Sequence, residues 1–328
     1  VLAAWVALGH FGPPIVLDAN RGGIVWIVRA FLNLVFSGPA AVIIFFVISG
    51  FCIHFPNRNG LEVKVWKMYY ARRYLRTLIP MAIAVALALP LKMQLGIFSV
   101  SILWSLVCEE VYYFIYPMLL ILHRRIGWSR MIVIAWGLAM LTALTRPGQI
   151  QYPSYGPGLN WVLGLPCWLL GCKLAEKFGV LDPTPVSPVE IWSWRSGAWA
   201  VSVLLGALAF HTPLGYPWTL NFFAAYGFLW LEREIRYYRA RPQTPLFESL
   251  GEASYSIYLT HTHGIALLAV LPMAAALSPL ASWFWKVVLG IAFAAAFYWA
   301  VERPSHRFAR LFAQRAPWLH PPRSPLAR

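Results

Sequence analysis

The 328-residue chain is 59% hydrophobic and only 12% charged, with a net charge of +15. Soluble domains carry about a quarter charged residues, so a water-soluble globular fold is excluded and most of the chain is expected in lipid. The basic excess also suits a nucleic-acid binder, but the charges fall in alternate loops between apolar runs, which reads as membrane topology and no nucleic-acid role.

Ten apolar spans follow one another, near residues 1–17, 38–55, 77–95, 101–122, 130–145, 158–175, 197–211, 216–231, 250–272 and 283–301. At ~1.5 Å rise per residue most approach a ~30 Å hydrocarbon core. The expected fold class is an all-α polytopic membrane protein of about ten transmembrane helices. Ile24–Phe36 is apolar but short and carries Arg29 and Asn33, so it reads as an interfacial or re-entrant helix on the outer side. Twenty-two of the 27 Lys and Arg residues lie in segments 56–76, 123–130, 173–195, 232–246 and 302–328. The remaining five, Arg21, Arg29, Lys92, Arg146 and Lys286, lie in or beside the other loops. The positive-inside rule then makes both termini and the five basic segments cytoplasmic.

The chain opens at Val1 inside an apolar run, so the first helix is expected to be N-terminally truncated. Residues 1–310 are expected to form one transmembrane domain, with 311–328 a basic cytoplasmic tail. Cys52, Cys108, Cys167 and Cys172 lie in or beside apolar spans and read as packing residues; no metal is expected. Two outer loops, 146–160 and 211–221, are rich in Pro, Gly and aromatics. Their Tyr and Trp side chains read as interface anchors, or alternatively as platforms for a sugar ring.

Ionisable groups inside a membrane are costly and mark function. His10 lies in the first span, Glu109 and Glu110 midway along the fourth, His261 and His263 midway along the ninth. His10, Glu109 and His261 are expected at similar depth, where a carboxylate and two imidazoles would form a proton-handling site. Taken singly, His10 and His261 are each better accounted for by a hydrogen bond to a neighbouring helix. His261 and His263 fall on opposite sides of a helix and would not share a metal. Only one of Glu109 and Glu110 is expected to face the bundle centre.

A basic collar from Lys64 to Arg76, with Lys67, Arg72 and Arg73, precedes the third span. Arg73 and Arg76 are three apart, so both guanidinium groups are expected on one helix face at the cytoplasmic mouth. Such forks suit phosphate; a lipid-headgroup anchor is the other reading. Coenzyme A fits the position, with a polyanionic end for the cytosol and a pantetheine arm long enough to enter a bundle.

Ordered motifs carry a family resemblance. They are Ala7-Leu-Gly-His10, Phe45-Phe-Val-Ile-Ser-Gly-Phe51, Arg72-Arg73-x-x-Arg76 before Pro80, and Trp104-Ser105-Leu-Val-Cys-Glu109-Glu110-Val-Tyr-Tyr-Phe-Ile-Tyr-Pro117. Ser254-Tyr-Ser-Ile-Tyr-Leu-Thr-His261 and Glu302-Arg-Pro304 complete the set. In this order they resemble the acyltransferase 3 family of bacterial membrane O-acyltransferases. The resemblance implies a multi-pass enzyme of the bacterial plasma membrane with no permanently bound cofactor. Such an enzyme moves an acyl group, usually acetyl, from cytoplasmic acyl-CoA to a hydroxyl of a carbohydrate or glycolipid acceptor of the cell envelope, or of another secreted acceptor.

Carried over, His10 is the catalytic histidine, a general base or a transient acyl carrier, and Glu109 the functional acid. Arg73 and Arg76 hold the donor, with Arg72, Glu110, His261, Trp104 and Ser105 in support. Two departures stand out: the family's arginine about eleven residues before the histidine would precede Val1, and Val111 replaces a frequent glutamine. A proton-coupled secondary transporter is the alternative reading. Acceptor identity and acyl length are left open.

Overall fold

A computed structural model describes residues 2–13, 23–58, 66–93, 102–180, 184–241 and 245–315. Twelve α-helices are seen among them, and no strand. They are α1 (Leu2–Phe11), α2 (Ile24–Val35), α3 (Gly38–His54), α4 (Trp66–Ala88), α5 (Leu103–Leu144) and α6 (Pro157–Lys177), then α7 (Pro188–Leu208), α8 (Gly215–Arg239), α9 (Pro245–Glu252), α10 (Ser254–Val270), α11 (Pro279–Phe297) and α12 (Arg303–Arg315).

Helix starts follow local chemistry. Ser37, Ser187 and Ser278 each accept the backbone N–H three residues on, from Ala40, Glu190 and Ala281, and each precedes a proline in the first turn. The serine satisfies an orphan donor and the proline forfeits none that the helix needs. α5 is two arms meeting at Gly127, whose φ of 76° and ψ of 155° break the helix; a side chain at this φ is strained.

Each expected apolar span overlaps a helix, in order α1, α3, α4, the two arms of α5, α6, α7, α8, α10 (with the end of α9) and α11. Four helical stretches are long and apolar enough to cross a bilayer by length and composition, at Ala30–Asn57, Leu103–Leu144, Pro157–Val180 and Pro279–Phe312. The chain is a helical membrane protein. Expected boundaries shift at several places. The basic collar is not a loop, since Lys67 to Arg76 form the first turns of α4, while Lys64 lies outside the described residues. Arginine and lysine are good helix formers, and nothing between Trp66 and Arg76 breaks the helix. The ninth span divides at Ala253 into α9 and α10. After α11 a π-turn, Tyr298–Glu302, leads into α12, which continues past residue 310 to Arg315; residues 316–328 lie outside the described set.

α3 is apolar all round and packs against α1, α6 and α8, as a helix at the centre of a bundle does. Its contact with α6 is close. A Cβ at Gly50 would fall on the carbonyl oxygen of Trp168, and one at Gly171 on that of Val47. Gly264 brings α10 against the backbone of Gly290 on α11 in the same way. Small residues at such contacts let backbones approach, the usual means of association where lipid removes the hydrophobic drive.

Candidate active site

His10 occupies the last turn of α1, with Nδ1 2.9 Å from the carbonyl oxygen of Val6. The residue is exposed, and its Nδ1 is also 3.1 Å from Nε2 of His261 on α10. The two rings lie 4.9 Å apart, tilted by 40°. His261 is 1% exposed, and its Nδ1 reaches the carbonyl oxygens of Ile257 (3.1 Å) and Tyr258 (2.8 Å). His263 points elsewhere, with Nε2 2.9 Å from the carbonyl oxygen of Ala84 on α4 and its ring 5.2 Å from Phe293. The opposite-side placement of the two α10 histidines follows from their spacing.

Tyr258 leads away from this pair. Its ring is 6.2 Å from that of His261, and its hydroxyl is 2.5 Å from the Ser105 hydroxyl on α5. Ser105, Tyr258 and Glu109 line one cavity of about 110 Å³, with Val42, Phe45, Phe46, Leu106, Ser254 and Tyr255 completing the wall.

Glu109 belongs to a separate polar chain. The Trp168 indole N–H donates to the Ser49 hydroxyl at 3.3 Å, which lies 3.0 Å from the Tyr113 hydroxyl. Tyr113 in turn donates to Glu109 Oε2 at 3.2 Å. Above the Tyr113 ring sits the Arg73 guanidinium, 4.0 Å from the centroid and within Coulombic reach of Glu109. This corrects the expected three-member site. Among the described residues no hydrogen bond or ion pair joins Glu109 to either histidine, and its charge partner is Arg73. Nε of Arg73 is buried and has no hydrogen-bond partner among the described residues.

Arg73 and Arg76 do not act as one fork. Arg76 is exposed and donates from Nε to Nε2 of His306 on α12 at 3.1 Å. Cys52, the exposed cysteine of α3, lies in the electrostatic range of both arginines and of Glu109, whereas Cys108, Cys167 and Cys172 are buried. Arg72 is exposed. Glu110 also approaches Arg73 electrostatically, and its Oε2 is buried with no hydrogen-bond partner among the described residues. No cluster of three or more His, Cys, Asp or Glu among the described residues has metal-binding geometry.

A family model for an acyltransferase domain, acyltransferase 3, matches residues 1–303 of the 328. The chain belongs to the acyltransferase 3 family. It is a membrane acyltransferase of non-aminoacyl groups. No curated protein and no solved structure gave a match. The transporter reading finds no support.

The acyltransferase motifs acquire physical roles in this arrangement. The serine of the Phe45–Phe51 run supplies Ser49 to the Glu109 chain, and its glycine supplies the contact with α6. Glu302 of the Glu-Arg-Pro motif is 1% exposed and accepts from both the backbone N–H (3.0 Å) and the hydroxyl of Ser256, in the first turn of α10. A carboxylate there meets the positive end of the helix dipole. Trp104, an expected support, stacks on Tyr152 with centroids 5.5 Å apart and planes at 7°, and none of its ring contacts is with the polar chains.

Tyr152 and Tyr155 are buried with their hydroxyls on backbone carbonyls, so neither offers a face to a sugar. The two loops instead bind one another, Gly148 N–H to Pro213 carbonyl at 2.7 Å and Tyr216 N–H to Ile150 carbonyl at 2.9 Å. Sequence reasoning did not single out Tyr113, Tyr258, His306 or the buried His54, which bridges Tyr116 (2.9 Å) and Glu176 (2.8 Å). Tyrosines in an aromatic-rich membrane chain carry no distinguishing signal, but His54, at the end of an apolar span, could have been found by the rule applied to His10.

Proposed function

We propose that this acyltransferase transfers an acyl group, acetyl being the simplest, from cytoplasmic acyl-CoA to a hydroxyl of an envelope carbohydrate or glycolipid. The observation that carries the reading is the state of His10. A packing histidine would be buried, whereas this one is exposed at the end of an apolar helix and held at one ring nitrogen by a buried partner. His10 takes the hydroxyl proton through its other nitrogen. The hydroxyl oxygen attacks the thioester carbonyl, the carbon–sulfur bond breaks, and the departing thiolate of coenzyme A receives the proton back from His10.

Arg73 and Arg76 bind the phosphates of the donor at the cytoplasmic end. The cavity lined by Glu109, Ser105 and Tyr258 takes the pantetheine arm, whose amide groups need polar partners in an otherwise apolar passage. All ten apolar helices cross the bacterial plasma membrane, with the basic segments inside.

The test is acceptor-dependent release of free coenzyme A by the protein in nanodiscs, paired with mass spectrometry of envelope glycans from cells with and without the gene. Acyl groups absent from the glycans of the deletion strain, together with coenzyme A release that scales with acceptor, are expected. Unchanged glycans and no release above the donor-only rate would overturn the assignment.

A further inference from the structure

The protons of the histidine pair can be placed from its partners. Carbonyl oxygens only accept, so Nδ1 of His261, shared by the Ile257 and Tyr258 carbonyls, carries hydrogen. Nδ1 of His10, bonded to the Val6 carbonyl, carries hydrogen for the same reason. Two N–H groups do not face each other at 3.1 Å, so Nε2 of His261 is a lone pair and His261 is neutral. His10 therefore donates from Nδ1 to both the Val6 carbonyl and His261. In neutral His10 the remaining lone pair sits on Nε2, which has no hydrogen-bond partner among the described residues.

We propose that His261 is the positioning residue for His10, setting its tautomer together with the Val6 carbonyl and aiming Nε2 at the acceptor hydroxyl. This rests on the reading of His10 as base. The role matches that of the carboxylate in a Ser-His-Asp triad, which holds the histidine in its working tautomer and accepts from the imidazolium that forms. Here the partner is a neutral imidazole, and the site explains the choice. His261 is almost wholly buried in α10, where an ionised carboxylate would be stranded whenever His10 is neutral. Glu109 is engaged with Tyr113 and Arg73 and does not substitute for it. The Ile257 and Tyr258 carbonyls hold the His261 ring, so its own orientation is fixed one turn further back. Phe11, the neighbour of His10, closes the pair with its ring 6.4 Å from that of His261.

Two variants of the full chain in nanodiscs test the role, His261→Leu and His261→Gln. Leucine fills similar space but accepts nothing, while a glutamine oxygen accepts from the His10 Nδ1–H. The expected result is a kcat roughly 10²–10⁴-fold down in His261→Leu, the scale of lost tautomer control. The acyl-CoA KM should stay unchanged, and His261→Gln should recover at least part of the loss. In ¹⁵N spectra of histidine-labelled protein, wild-type His10 should carry its hydrogen on Nδ1, and His261→Leu, which leaves only the Val6 carbonyl to hold it there, should raise the share carried on Nε2. Wild-type His10 protonated on Nε2, undiminished kcat in His261→Leu, or equal loss in two folded variants would each overturn the role. If the leucine variant does not fold, the wild-type spectrum still decides the tautomer. A fully active His10→Ala protein sinks the base reading and the positioning role with it, whatever the spectrum shows. An inactive His10→Ala with undiminished His261→Leu sinks the positioning role alone.

Discussion

Glu302 and Ser256 join the last two sequence motifs of the chain through one carboxylate oxygen, and the other oxygen of Glu302 lies 3.8 Å from His306. His306 in turn accepts from Arg76. One buried carboxylate thus caps α10, the helix of His261, and lies within electrostatic reach of Arg76, an expected donor residue.

Removing this carboxylate should be felt in stability first. Glu302→Ala strands the Ser256 N–H and hydroxyl in an apolar site, a cost of about 2–3 kcal/mol. Thermal unfolding in detergent should show a clear fall in Tm, with Ser256→Ala falling less because the backbone N–H keeps its partner. An unchanged Tm in Glu302→Ala would mean that the carboxylate does not hold the helix start.

Donor binding should divide between the two arginines. Arg73→Ala removes a cation from above Tyr113 and leaves Glu109 without its charge partner, so acyl-CoA affinity is expected to weaken by about 1.5–3 kcal/mol. Arg73→Lys should recover only part, because a lysine offers no planar fork. Arg76→Ala should cost less than Arg73→Ala, since Arg76 is exposed and solvent screens its contribution. Titration of the nanodisc protein with acyl-CoA reads both. Wild-type affinity in the folded double variant would leave the pair as lipid anchors.

Much of this arrangement can be read from the sequence, and the unread part has a common cause. Apolar runs, Ser-Pro starts and the glycine between Arg125 and Trp128 mark where helices begin, end and bend, because those signals are local. Depth follows from counting residues along a helix, which is why His10 and His261 are expected together. Azimuth and neighbour choice do not follow from counting. Glu109 sits at a plausible depth for the histidines, yet it pairs with Tyr113 one turn along α5 and faces Arg73 of α4. Arg76 finds His306 some 230 residues away because α12 packs on α4; no span signal foretells that contact, since α12 is basic and amphipathic.

Topology is tested by single cysteines in a chain whose native cysteines are replaced. Gly60→Cys and Val180→Cys should label only from the cytoplasmic side, Ile150→Cys and Leu214→Cys only from the outer side. The expectation comes from 22 of 27 basic residues in five alternating segments. Labelling of positions 60 and 150 from the same side would remove the ten-crossing arrangement.

His10→Ala should separate chemistry from folding. The residue is exposed and its hydrogen bonds run to Val6 and His261, so loss of its ring should leave Tm and acyl-CoA affinity near wild type. Turnover should nevertheless fall roughly 10²–10⁴-fold, the range for losing a positioned acid–base group. In the wild type, kcat should rise with pH through the titration of His10, because only the neutral imidazole accepts the hydroxyl proton, and this limb should be missing from the residual activity of His10→Ala. An acyl-carrier role would show differently, as labelled protein after incubation with labelled acyl-CoA and no acceptor. Activity is to be compared per folded molecule: if His10→Ala turns over at the wild-type rate with the same pH limb, the proton is taken by another group and the histidine pair serves structure alone.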